Sequence, residues 1–143
     1  MRMMNAKYLA ALLLAACGTT DAMMTMKLTS DGGFTGRGVG GVVIDGRNIE
    51  ARDMAHTCQG TLSAAEEKRL SELAAASHPE AWPESYASKE RPHGSPDQIR
   101  YTITVGARST SWFGEAGEGV PREILELHAA LVAVQQRVLR DCR

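Results

Sequence analysis

Ile99-Arg100-Tyr101-Thr102-Ile103-Thr104-Val105, then Gly106-Ala107, then Arg108-Ser109-Thr110-Ser111-Trp112-Phe113, is the stretch that decides the fold class. Apolar side chains at 99, 101, 103 and 105 alternate with Arg100, Thr102 and Thr104. A period of two marks a strand with one buried and one wet face. Gly106-Ala107 turns the chain back, so the two runs read as an antiparallel hairpin. The same alternation appears upstream, where Met24, Met26 and Leu28 are set against Thr25, Lys27 and Thr29. Ser30-Asp31-Gly32-Gly33-Phe34-Thr35-Gly36-Arg37-Gly38 follows as a glycine-dense turn. Residues 39–45 form a further strand, and Asp45-Gly46 is a hairpin signal leading into 48–52.

Two helices interrupt this pattern. Ser63-x-x-Glu66 is a capping box, in which hydroxyl and carboxylate each satisfy a free backbone amide. Leu70, Leu73, Ala74 and Ala76 give that helix an apolar face, and His78-Pro79 ends it near Ser77. Residues 78–97 contain Pro79, Pro83, Pro92 and Pro96 with Trp82 and Tyr86, and read as a long ordered loop. Pro121 suits the first position of a second helix, where its missing amide is no loss. Ile124, Leu127, His128, Leu131, Val134 and Val138 mark its buried stripe, which reaches about Arg140. Strands, helix, strands, helix spells an α+β domain: an antiparallel sheet of four to five strands with two helices packed on one face.

The amino terminus carries an address. Met1-Arg2-Met3-Met4-Asn5-Ala6-Lys7 is a short basic head, and residues 8–16 are an apolar run. As a helix that run rises only about 14 Å, against the roughly twenty residues that a membrane span needs. The layout is that of a secretory signal peptide. Leu14-Ala15-Ala16-Cys17 resembles the lipobox of bacterial lipoproteins. The resemblance implies cleavage before Cys17 and a lipid on its sulfur. Residues 1–16 are then a signal peptide, 17–24 a lipidated tether and 25–143 a single domain. By likeness to sorting patterns, Gly18 favours an outer-membrane lipoprotein facing the periplasm.

Taking residues 1–16 from 143 leaves 127, a length for one domain. Arg2 and Lys7 leave with the leader, so 14 basic residues face 17 acidic ones. No basic stripe or aromatic ladder is present, and nucleic-acid binding is not expected. With Cys17 lipidated, Cys58 and Cys142 remain as an even pair in an oxidising compartment. They read as a disulfide, with two buried free thiols as the other possibility.

Catalytic patterns are missing. The histidines 56, 78, 93 and 128 form no His-Glu-x-x-His, and no Cys-x-x-Cys occurs, so the usual zinc spacings are absent. His56-x-Cys58 supplies two ligands at most, and His128 sits on the apolar stripe of the last helix as a core-edge residue. Gly36-x-Gly38-x-Gly40-Gly41 leads into a strand, whereas phosphate cradles lead into a helix. Glu66 and Glu67 are adjacent and are explained by capping and the helix dipole. No Gly-x-Ser-x-Gly elbow is found. An enzyme is not expected, nor any cofactor or metal.

Three blocks carry a resemblance. Lys27-Leu28-Thr29-Ser30-Asp31-Gly32-Gly33-Phe34-Thr35-Gly36 resembles the opening strand and "GGFAG" turn of the emfourin family. Asp97-Gln98-Ile99-Arg100-Tyr101-Thr102-Ile103-Thr104-Val105 is similar to that family's "D-x-[FY]-x-Y-T-[IL]-T-V" strand, and Val120-Pro121 leads into a leucine-bearing helix as there. The likeness spans about residues 25–135. Lipobox and cysteine pair are additions to the pattern, and Ala81-Trp82-Pro83 only echoes its "FFDLP"-like stretch.

The family inhibits protealysin and other thermolysin-like zinc metalloproteases, so the resemblance implies a lipid-anchored proteinaceous inhibitor at the envelope. Its protease-binding segment would be Asp31, Gly32, Gly33, Phe34, Thr35, Gly36 and Arg37, inserted in the cleft. Glycine permits positive φ and close backbone approach. Phe34 would fill an apolar pocket as an aromatic anchor, or else fold back onto the core. Asp31 could offer its carboxylate to the zinc or to a nearby cation. Trp112 likewise has two readings, contact or core. The alternative function is a non-inhibitory envelope lipoprotein that serves as a protein-binding module.

Overall fold

A computed structural model describes residues 24–33, 40–87, 95, 97–115 and 117–143. Six antiparallel strands form one sheet: β1 (Thr25–Gly32), β2 (Gly40–Asp45), β3 (Asn48–Arg52), β4 (Thr57–Thr61), β5 (Ile99–Val105) and β6 (Arg108–Phe113). Their spatial order is β4-β3-β2-β1-β5-β6. Helix α1 (Ala64–Ala76) and helix α2 (Arg122–Asp141) complete the α+β domain. The expected hairpins are present: Gly46 at φ 60° turns β2 into β3, and Gly106 at φ 57° turns β5 into β6.

One strand more is present than the four to five expected. In β4, Thr57-Cys58-Gln59-Gly60-Thr61, the two inward positions are a cysteine and a glycine, so no apolar alternation announces it. Both have structural reasons. Cys58 is bonded to Cys142 just past α2, with Cα atoms 6.0 Å apart, so the expected disulfide is present. Gly60 lies under α2, where a Cβ would come within 2.8 Å of Val138 Cγ2.

Every strand buries alternate residues on the same side. Met26 and Leu28, Val42 and Ile44, Ile49 and Ala51, Tyr101 and Ile103, and Thr110 and Trp112 all face the helices. Cross-strand register keeps them in rows, with Leu28 between Val42 and Ile103, and Met26 between Ile44 and Val105. The buried side of α2, with Ile124, Leu127, Leu131, Val134 and Val138, covers β1 to β4. Alongside it packs α1 through Leu70, Leu73 and Ala74. Trp112 is 2% exposed and belongs to the core. Among the described residues the core runs from Met26 to Leu139.

Helix boundaries follow local chemistry. The Glu66 amide donates to Ser63 Oγ at 3.1 Å while the Ser63 amide donates to Glu66 Oε1 at 3.3 Å. The α1 boundaries, with caps at Ser63 and Ser77, match the sequence reading. Pro121 stands one place earlier than expected, as the cap before Arg122. Arg137 ties the layers together, donating to Glu66 Oε2 and to the Thr61 carbonyl, each at 3.0 Å.

Of the expected long loop at 78–97, residues 78–87, 95 and 97 are described. Trp82 Nε1 donates to the Ser77 carbonyl at 2.8 Å, and Ser85 bridges Ser111 on the edge of β6. Among the described residues no helix lies on the opposite face of the sheet. Val43 is 41% exposed there, among Lys27, Thr29, Glu50, Arg52, Thr102 and Thr104. Among the described residues no helix is long and apolar enough to cross a membrane.

Candidate functional site

The β1–β2 connection is built at the sheet end where β1 finishes and β5 begins. Asp31 and Gly32, expected in a turn, are strand residues: Asp31 pairs with Arg100 and Gly32 with Ile99. Strand β1 continues this far because β5 gives it partners to its last residue. Asp31 Oδ2 lies 3.2 Å from Arg100 Nη2, and both side chains are about half-exposed. An ion pair of that exposure contributes roughly 0–1 kcal/mol to stability. Its effect is positional: it fixes a carboxylate at the root of the connection.

Beyond Asp31 the backbone leaves the strand through two left-handed residues. Gly32 has φ 88° and Gly33 φ 80°. L-residues rarely adopt such angles, and at Gly32 space is short as well. A Cβ on Gly32 would lie 3.3 Å from the Gln98 carbonyl oxygen, and one on Gly33 3.4 Å from Ile99 Cγ1. The turn into β5 is closed by the Gln98 amide donating to the Ser95 carbonyl at 2.9 Å, with the Ser95 amide donating to Gln98 Oε1 at 3.0 Å. From the other side the Gly114 amide donates to the Ile99 carbonyl at 2.9 Å.

On the return, Gly40 is equally constrained. A Cβ there would sit 2.9 Å from the Arg52 carbonyl oxygen and 3.2 Å from Gln135 Nε2, which itself donates to that carbonyl at 2.8 Å. Glycines therefore mark both roots of the connection. Of the expected protease-binding segment, the structure brings Asp31, Gly32 and Gly33 together; Phe34, Thr35, Gly36 and Arg37 lie outside the described residues, as does Cys17. Arg100, Gln98 and Gly114 join the site without any local signal in the sequence. Only the β1–β5 register puts them there.

One strand position inward lies an aromatic cluster. Tyr101 pairs with Ser30 and Trp112, and the His128 ring packs edge-on to both rings, with centroids 4.8 Å from Tyr101 and 5.3 Å from Trp112. Burial holds the His128 imidazole below its ordinary pKa, while Glu115 pulls the other way. The Tyr101 hydroxyl is pushed up by burial and then by Glu115. Trp112 Nε1, His128 Nε2 and Thr110 Oγ1 are buried without a hydrogen-bond partner among the described residues. His128 has the core-edge position read from the sequence.

Asp53 Oδ1 accepts from the amides of Ala55 and His56 at 2.8 Å each, and those bonds hold its carboxyl below the usual range. His56 stands beside Asp53, and Cys58, bonded to Cys142, has no thiolate to offer a metal. Among the described residues no group of three metal-ligating side chains comes together. No family model, curated protein or solved structure matches the chain.

Proposed function

We propose that this chain is a lipid-anchored, non-catalytic inhibitor of thermolysin-like zinc metalloproteases, which presents its β1–β2 connection to the active-site cleft. The observation that carries the reading is the root of that connection. Gly32 and Gly33 leave the sheet at positive φ, pressed against the turn into β5, with Asp31 held by Arg100. A root that is already in place loses little entropy on docking, so more of the contact energy becomes affinity. Phe34, the next residue, is the aromatic anchor for the apolar pocket beside the zinc. The lipid on Cys17 restricts the encounter to the envelope, where a co-exported protease would be met.

Titration of a thermolysin-like protease with residues 24–143, disulfide intact, tests this. Activity should fall with a micromolar or tighter constant, while a serine protease of similar size stays active. A folded domain that leaves the metalloprotease untouched would sink the proposal for those enzymes. The second reading, an envelope lipoprotein that binds another protein, would then stand, favoured by the outer face of the sheet, which no described element covers and where Val43 is exposed.

A further inference from the structure

The outer face of the sheet has a hollow that the strand register explains. Arg52, Gly41 and Thr29 stand side by side across β3, β2 and β1. Adjacent strands are about 4.8 Å apart, so Arg52 and Thr29 are roughly 10 Å apart with no side chain between them. The next row on the same face is Glu50, Val43 and Lys27. Together these residues line a hollow of about 200 Å³. Leu28 and Val42 turn their side chains into the core, so its floor is strand backbone. Gly41 leaves the space between Arg52 and Thr29 empty, and position 41 is held to glycine because a Cβ there would collide with the Leu28 carbonyl oxygen.

Charge gives the hollow its chemistry. Among the described residues neither the Lys27 ammonium nor the Arg52 guanidinium has a partner. Glu50 accepts one hydrogen bond, from Gln59 Nε2 at 2.9 Å, and keeps further acceptor positions. Two free cations and one carboxylate thus surround a polar space, with the Thr29 hydroxyl on its far wall.

We infer that this hollow is a binding site for a small α-amino acid. The ligand carboxylate pairs with the Arg52 fork and the Lys27 ammonium, a charge-assisted arrangement stronger than neutral hydrogen bonding. Its ammonium faces Glu50. A phosphate dianion meets the like charge of Glu50 and is disfavoured. The hollow is smaller than the roughly 300–1,000 Å³ of drug-sized sites, so the ligand is no larger than a small amino acid. Among the described residues of the expected protease-binding segment, Asp31, Gly32 and Gly33 do not line it, and the inference does not rest on protease inhibition.

The test is an amide NMR titration of residues 24–143 with glycine, acetate and inorganic phosphate, each at constant ionic strength against sodium chloride. Glycine should give saturable shifts centred on Thr29, Gly41, Val43 and Arg52, and acetate weaker ones. Lys27→Gln and Arg52→Gln should each raise the glycine Kd about tenfold, the loss of one charged contact of about 1.4 kcal/mol. Glu50→Gln should reduce glycine to the level of acetate. All three positions are exposed, and an unchanged Ile103 amide confirms that each variant is folded. Shifts that do not saturate overturn the inference. So do saturable shifts that survive the Lys27 and Arg52 changes, or phosphate binding tighter than glycine.

Discussion

Asp31 and Arg100 face each other across β1 and β5 with 3.2 Å between carboxylate and guanidinium, although 69 positions separate them in the chain. The pair joins the strand that carries the proposed inhibitory connection to the strand that braces it.

Arg100→Gln should therefore separate stability from function. The pair is half-exposed, so unfolding free energy should change by less than about 1 kcal/mol. Potency against a thermolysin-like protease should fall several-fold, because the root of the connection is no longer fixed. Chemical denaturation and an inhibition titration on the same sample measure both. Equal loss in the two would assign Arg100 a purely structural part.

Gly60 gives a sharper packing test. Gly60→Ala places a methyl group 2.8 Å from Val138 Cγ2 and should destabilise the domain by about 1–3 kcal/mol, the range for overpacking. Val138→Ala is costly alone but should recover part of the loss in the double variant. A thermodynamic cycle from four denaturation curves reads the coupling. Strict additivity would mean that α2 does not press on β4 at this point.

The disulfide closes a span of 84 positions between β4 and the end of α2. Reduction, or the pair Cys58→Ser and Cys142→Ser, should lower stability by about 2–5 kcal/mol. Denaturation with and without reductant should shift for the native chain and stay fixed for the double variant.

His128 sets a pH dependence. Burial depresses its folded-state pKa, with Glu115 opposing. Below the ordinary imidazole value of about 6.5, the unfolded chain takes up a proton that the folded chain resists. Stability is thus full above that pH and declines as pH falls through it. Carboxylates respond in a more acidic window. Burial alone would raise Glu66, but hydrogen bonds from Arg137 and Ser63 bring it below its ordinary value. In His128→Gln the slope of stability between pH 7 and pH 5 should flatten, as read by urea titrations at several pH values; an unchanged slope would assign it to other groups.

Much of this architecture was legible in the sequence. The alternation at Ile99, Tyr101, Ile103 and Val105 and the box at Ser63 and Glu66 are local signals, and local physics produces them. β4 escaped because covalent bonding at Cys58 and helix contact at Gly60 replace the apolar residues by which a strand is recognised. Arg100 looked like an ordinary outward residue, since pairing with Asp31 depends on β5 lying beside β1, a long-range choice. The glycine run was visible, but its strand-like start was not. Asp31 and Gly32 belong to β1 only because Arg100 and Ile99 pair with them.

Comparing the inhibition constants of the native domain and Phe34→Ala against a thermolysin-like protease tests the central proposal most directly. The native domain should inhibit, and the variant should be weaker by 2 kcal/mol or more, roughly thirtyfold, the scale of an interface anchor. Equal potency in a folded Phe34→Ala domain, or no inhibition by the native one, would contradict it.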